Sequence, residues 1–174
     1  MKKVIFFHGY GGEPIPEITE VFKYIGWETI QQHIDYDEEW EKDFGKSITE
    51  QSMELAKDCD LIIGLSLGGY TAHLIANHLE KKCILINPGL DRDRSLLDIK
   101  EFDYPHIVNN CELEVYLGAR DFQIPNHYTT EFIERMYIDA RVETLEKMYH
   151  VFNLDEFITI IKMSKFIFQQ TLPI

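Results

Sequence analysis

The sequence predicts an α/β protein: a mostly parallel sheet of about six strands with helices on both faces, forming one domain over residues 1–174. Three observations carry this reading. Short apolar runs alternate with helix-like segments along nearly the whole chain, which implies right-handed crossovers between parallel strands. Several of those runs are continuously hydrophobic rather than alternating, as strands covered on both faces require. The 174 residues are 45% hydrophobic and 27% charged, a composition and length that suit one well-buried core.

The elements follow in order. "KVIFFH" (3–8) is an apolar first strand. A helix over 17–24 starts after prolines and has Gly26 placed to end it. "WETIQQH" (27–33) is the second strand, and the acidic run "DYDEEWEKD" (35–43) reads as a solvated surface loop. A helix over 46–57 leads to the buried strand "LIIGL" (61–65), a helix over 67–79 and the strand "CILIN" (83–87). The interval 88–111 is the least regular, and two readings stand: a lid passing over the sheet, or a helix with a connecting loop. Beyond it come the strand "LEVYLG" (113–118), a helix over 126–136, the strand "RVETLE" (141–146) and a helix over 154–168. There is no internal repeat, low-complexity tract or linker.

Composition excludes several function classes. A net charge of -13 sets the chain against nucleic acid and anionic membranes as partners. Cys59, Cys83 and Cys111 lack C-x-x-C spacing and an even count, so no disulfide framework is expected and a cytoplasmic location fits. The apolar stretch near the start covers only 4–7, too short for a signal sequence, and no run has the length of a membrane span. No cofactor is expected. "GYGG" does not complete G-x-G-x-x-G because Pro14 occupies the last position, and the P-loop spacing of Gly64 and Gly69 is followed by Tyr70 and Thr71. No H-E-x-x-H or zinc-type cysteine pattern occurs, so no metal is expected either.

In open α/β sheets ligands bind outside the carboxyl ends of the strands, so the residues just past strand ends carry the chemistry. After the third strand, Gly64-Leu65-Ser66-Leu67-Gly68 matches G-x-S-x-G, a sharp strand-to-helix turn with an exposed serine hydroxyl. Gly64 and Gly68 would relieve crowding at that turn, and Gly69 would add close packing. The plain alternative is that Ser66 merely caps the following helix. A serine hydroxyl needs a base to accept its proton, and a histidine base needs a carboxylate to set its tautomer. Asp121 follows the fifth strand and His150 the sixth, giving the order Ser66, Asp121, His150. Asp91 and Asp93 are rival acids after the fourth strand, and His127 is a rival histidine just inside a helix. His8 is expected to brace the first loop, while His33, His73, His78 and His106 read as structural or exposed.

Negative charge developing on an ester carbonyl oxygen calls for fixed N–H donors. The backbone N–H of Leu67, at a helix start, supplies one. The N–H of Tyr10, in the glycine-rich turn containing Gly9, Gly11 and Gly12, supplies the other.

The segments "FFHGYGG", "GLSLGGY", "INPGL", "LGARDFQIP" and "MYHVFNLDEF" resemble those of the small YqiA/YcfP-like esterases of the α/β-hydrolase superfamily, in the same order along the chain. The resemblance implies a minimal α/β-hydrolase fold and carboxylic-ester hydrolysis, with Ser66, Asp121 and His150 as triad. A small-molecule acyl ester or thioester is then the expected substrate. A non-catalytic binding module on the same fold, or an acyltransferase, are the alternatives.

Overall fold

The computed structural model describes residues 1–43, 45–90, 110–136 and 139–168. Most of the interval 88–111, including Asp91, Asp93 and His106, lies outside the described residues, and so do both readings of it. Six strands form one sheet: β1 (Lys2–Phe7), β2 (Trp27–Gln31), β3 (Leu61–Leu65), β4 (Lys82–Ile86), β5 (Leu113–Gly118) and β6 (Arg141–Leu145). They lie in the order β2-β1-β3-β4-β5-β6, and every neighbouring pair is parallel. The six strands anticipated from apolar runs therefore all form, within two residues at each end.

Seven helices are described: α1 (Pro16–Tyr24), α2 (Tyr36–Asp43), α3 (Lys46–Ala56), α4 (Leu67–Leu79), α5 (Asn126–Met136), α6 (Leu154–Met163) and α7 (Lys165–Phe168). Side chains alternate across a strand, so each strand feeds two cores. Val4, Phe6, Leu61, Ile63, Ile84 and Ile86 point to the face covered by α1 and α6, where Phe22 and Phe157 pack. Ile5, Phe7, Ile62, Leu85 and Val115 point to the face holding Ala72 and Ile75 of α4 and Ile133 of α5. Each fully buried aliphatic or phenylalanine side chain stabilises the fold by about 1.5–3 kcal/mol.

The strand order has a functional consequence. From β1 the chain moves outward to β2, then returns past β1 to β3 and proceeds the other way. That reversal opens a crevice at the carboxyl ends of β1 and β3. The register aligns those ends, with Phe7 opposite Gly64, Leu65 opposite Ile86 and Gly118 opposite Leu145.

Two expectations are corrected. The acidic run 35–43 is not a loop: residues 36–43 form α2. Asp35 accepts the Glu38 N–H at its start, and Asp37, Glu38 and Glu39 sit where the helix dipole favours negative charge. Tyr36 is buried and donates its hydroxyl to the His8 carbonyl, so the acidic helix is anchored to the end of β1. The helix expected over 154–168 is broken at Ser164, whose backbone is extended. The buried Glu114 carboxylate accepts the Lys165 N–H at 2.9 Å, a tertiary bond that restarts the chain as α7.

Candidate active site

The β3–α4 turn holds Ser66 at φ 54° and ψ -120°, a conformation disfavoured for any side-chain-bearing residue. Packing enforces it. A Cβ on Gly68 would overlap the carbonyls of Phe7 and His8, and one on Gly64 would overlap the Gly68 carbonyl and Ala72. The backbone can turn this tightly only where those side chains are missing. A Cβ on Gly69 would come within 2.7 Å of Pro88, which accounts for that glycine as well. Ser66 occupies the N-cap position of α4, yet its hydroxyl makes no capping bond. It points instead to His150 Nε2, 2.8 Å away.

His150 follows β6 and is largely buried, and its Nδ1 lies 2.8 Å from Asp121 Oδ2. A carboxylate can only accept, so the proton sits on Nδ1 and leaves Nε2 to accept from the serine hydroxyl. Asp121 follows β5, and its side chain is wholly shielded from solvent. Its Oδ1 accepts the backbone N–H groups of Gln123 at 2.8 Å and Ile124 at 3.0 Å. The structure thus joins Ser66, His150 and Asp121 in one hydrogen-bonded relay. His127 lies exposed on α5 against Tyr128, in no such relay.

The loop after β1 borders the same serine. A Cβ on Gly9 would stand 3.0 Å from the Ser66 Cβ, so the backbone leading into Tyr10 passes directly over the nucleophile candidate. Leu67 is the first residue of α4, where backbone N–H groups have no helical acceptor. Tyr10 itself is about half exposed, and its hydroxyl donates to Asp37 of α2 at 2.7 Å. That bond and the negative charge of Asp37 raise the Tyr10 pKa above its ordinary value.

His8 braces this loop from below. Its Nδ1 donates to the Gly9 carbonyl at 2.8 Å, and its Nε2 accepts the Ile34 N–H at 3.0 Å. Burial lowers its pKa, which favours the neutral ring that this donor–acceptor pair needs. His33 stacks on His8 and pairs with Glu13, His78 is exposed, and His73 is buried in α4 beside Phe132.

Two residues escaped the sequence reading. Gly118 ends β5 where a Cβ would overlap the Met148 carbonyl, so it lets the acid-bearing and histidine-bearing loops touch. Asn87 directly follows β4, in the left-handed region at φ 43°, and is buried. Its Nδ2 donates to the Tyr149 and His150 carbonyls, each at 2.8 Å, and its Oδ1 accepts the Gly118 N–H at 2.6 Å. The available signal was one polar residue closing the otherwise apolar run "CILIN" at the sheet's carboxyl edge. Among the described residues, no group of three or more His, Cys, Asp or Glu side chains is arranged to hold a metal ion. No described helix is long and apolar enough to cross a membrane.

A parallel sheet covered on both faces, with a serine on a strained strand-to-helix turn at its carboxyl edge, defines an α/β-hydrolase fold. The chain belongs to the uncharacterised protein family UPF0227, the YqiA/YcfP-like family, whose model matches residues 3–148 and so ends two residues before His150. Solved structures share the architecture. An α/β hydrolase from the metagenome of lagoon sediments of Mar Chica, Morocco, superposes with a TM-score of 0.70 at 14% identity, over 92% of this chain and 89% of that one. A carboxylesterase of the thaumarchaeon Nitrososphaera gargenis gives 0.66 at 15% identity, over 92% and 88%. The esterase domain of a Rhodothermus marinus protein gives 0.66 at 14%, over 91% and 82%. At these identities the likeness establishes the fold. No curated protein matches the chain by sequence.

Proposed function

We propose that the protein is a serine hydrolase that cleaves a carboxylic ester or thioester through an acyl-enzyme intermediate. The observation that carries this reading is the relay from Ser66 Oγ to His150 Nε2 and from His150 Nδ1 to Asp121 Oδ2, both at 2.8 Å. In the first half-reaction the Ser66 oxygen attacks the ester carbonyl carbon as its proton passes to His150 Nε2. The Asp121 carboxylate stabilises the resulting imidazolium, and the N–H groups of Leu67 and Tyr10 receive the oxyanion. Collapse breaks the carbon–oxygen bond to the alcohol, which leaves with the proton from His150. Water then repeats the sequence against the acyl-serine, releasing the acid and restoring the hydroxyl.

The esterases among the structural relatives support the same chemistry. Tyr10, Phe122, Tyr149 and Val151 are each more than half exposed and adjoin the oxyanion loop, Asp121 or His150 in sequence. They give the loops that carry the relay exposed apolar surface, which suits an acyl or alcohol group carrying hydrocarbon.

Labelling with a fluorophosphonate tests the proposal, because only an activated serine reacts. The parent should label and hydrolyse p-nitrophenyl esters, and Ser66→Ala should do neither while keeping its circular dichroism. A parent that neither labels nor turns over any short ester would make this fold a binding module. A Ser66→Ala variant that retains turnover would exclude Ser66 as nucleophile.

A further inference from the structure

We propose that Asn87 is a positioning residue that sets the angle of the catalytic histidine. The inference rests on the serine-hydrolase reading above and assigns a role outside the triad and the oxyanion donors. The Asn87 amide is oriented without ambiguity. The Gly118 N–H can only donate, so Oδ1 faces it; the Tyr149 and His150 carbonyls can only accept, so Nδ2 faces them.

Those two carbonyls belong to the peptide groups on either side of the His150 α-carbon. One amide group therefore pins both peptide planes from which the imidazole projects. Asn87 is itself tied to the other two members. The Ile86 carbonyl just before it accepts the Ser66 N–H at 3.0 Å, and the Gly89 N–H just beyond it donates to the Ser66 carbonyl at 3.0 Å. The Asn87 N–H donates to Tyr116 of β5, three residues before Ala119 and the turn that carries Asp121. The side chain is buried, so water does not compete for these bonds. The side-chain amide thus ties the end of β5 to the loop after β6, and the backbone on either side of Asn87 ties both to the serine turn.

The test compares Asn87→Gly and Asn87→Asp with the parent. Glycine accepts the φ of 43° without strain and removes every side-chain bond. Aspartate also tolerates that region and keeps the acceptor for Gly118, but offers an oxygen where the two carbonyls need a donor. In both variants kcat for p-nitrophenyl acetate should fall by about 10²-fold, the effect of roughly an ångström of misplacement, with KM little changed. The rate of fluorophosphonate labelling at Ser66 should fall by a similar factor. The parent should show a downfield proton resonance for His150 Nδ1–H, and in the variants it should shift or broaden away.

If the variants fold and keep parental kcat, the positioning role is wrong while the Ser66 reading stands. A loss of activity that merely tracks a smaller folded fraction, with the downfield resonance unchanged, also overturns it. Should the glycine variant fail to fold, the same readouts on the aspartate variant decide. A parent that neither labels nor hydrolyses overturns both the inference and the reading it rests on.

Discussion

Replacing Asp121 with asparagine exchanges one oxygen for an NH2 group, yet it should remove most of the turnover. Asp121 Oδ1 accepts two backbone N–H groups, from Gln123 and Ile124, and Oδ2 faces His150 Nδ1. Both backbone groups can only donate, so the asparagine oxygen must take the Oδ1 position and its NH2 must turn to the imidazole. Opposite a donor, the ring holds its proton on Nε2 and accepts at Nδ1. Nε2 then donates to Ser66 Oγ, and no base remains for the serine proton. The carboxylate is shielded from solvent, so water cannot enter to restore the original tautomer. In a serine–histidine–aspartate relay the wrong tautomer lowers kcat by about 10⁴-fold, or roughly 5 kcal/mol of transition-state stabilisation. KM should change little, since Asp121 touches the histidine rather than the substrate. Steady-state kinetics on p-nitrophenyl acetate measure both constants, and circular dichroism checks the fold. A folded Asp121→Asn variant with kcat within about tenfold of the parent would refute this assignment of the acid.

Two further outcomes are expected. Tyr10→Pro removes a backbone N–H and should lower kcat by about 10²- to 10³-fold, whereas Tyr10→Ala loses one exposed hydrogen bond to Asp37 and should keep most of the chemical step. Equal losses in folded variants would move the function from the backbone to the side chain. Burial pushes the His73 pKa from 6.5 down to about 4, so the charged ring is penalised in the folded state and not in the unfolded one. Its contribution to stability is full above about pH 6.5 and is lost as the pH falls toward 4, by about 3 kcal/mol in all. Urea unfolding of the parent and His73→Leu at pH 7 and pH 4.5 measures this, and an unchanged acid sensitivity in the variant would disprove it.

Much of this molecule is determined by local sequence pattern. Continuous apolar runs such as "LIIGL" must be covered on both faces, so a parallel sheet with helices on both sides follows from them alone. Part of the G-x-S-x-G spacing is local in the same sense: a side chain on Gly64 would collide with the Gly68 backbone four residues on, whereas Gly68 answers to the end of β1, which passes against it. Helix boundaries that depend on near neighbours, such as the capping box formed by Asn153 and Glu156 at the start of α6, are also local.

What only the tertiary structure decided depends on partners far along the chain. Charge counting along 35–43 carries no trace of the Tyr36 hydroxyl reaching the His8 carbonyl, which anchors an acidic segment as a helix. The break at Ser164 is set by Glu114, 51 residues from the Lys165 N–H that it captures. Asn87 gains its meaning from Tyr149 and His150, more than 60 residues ahead, because a hydrogen bond is directional and its partner exists only once the sheet has brought β4 beside the last loop. Hydrophobic burial is non-directional and is written in local periodicity; the orientation of a buried polar group is written only in the assembled fold.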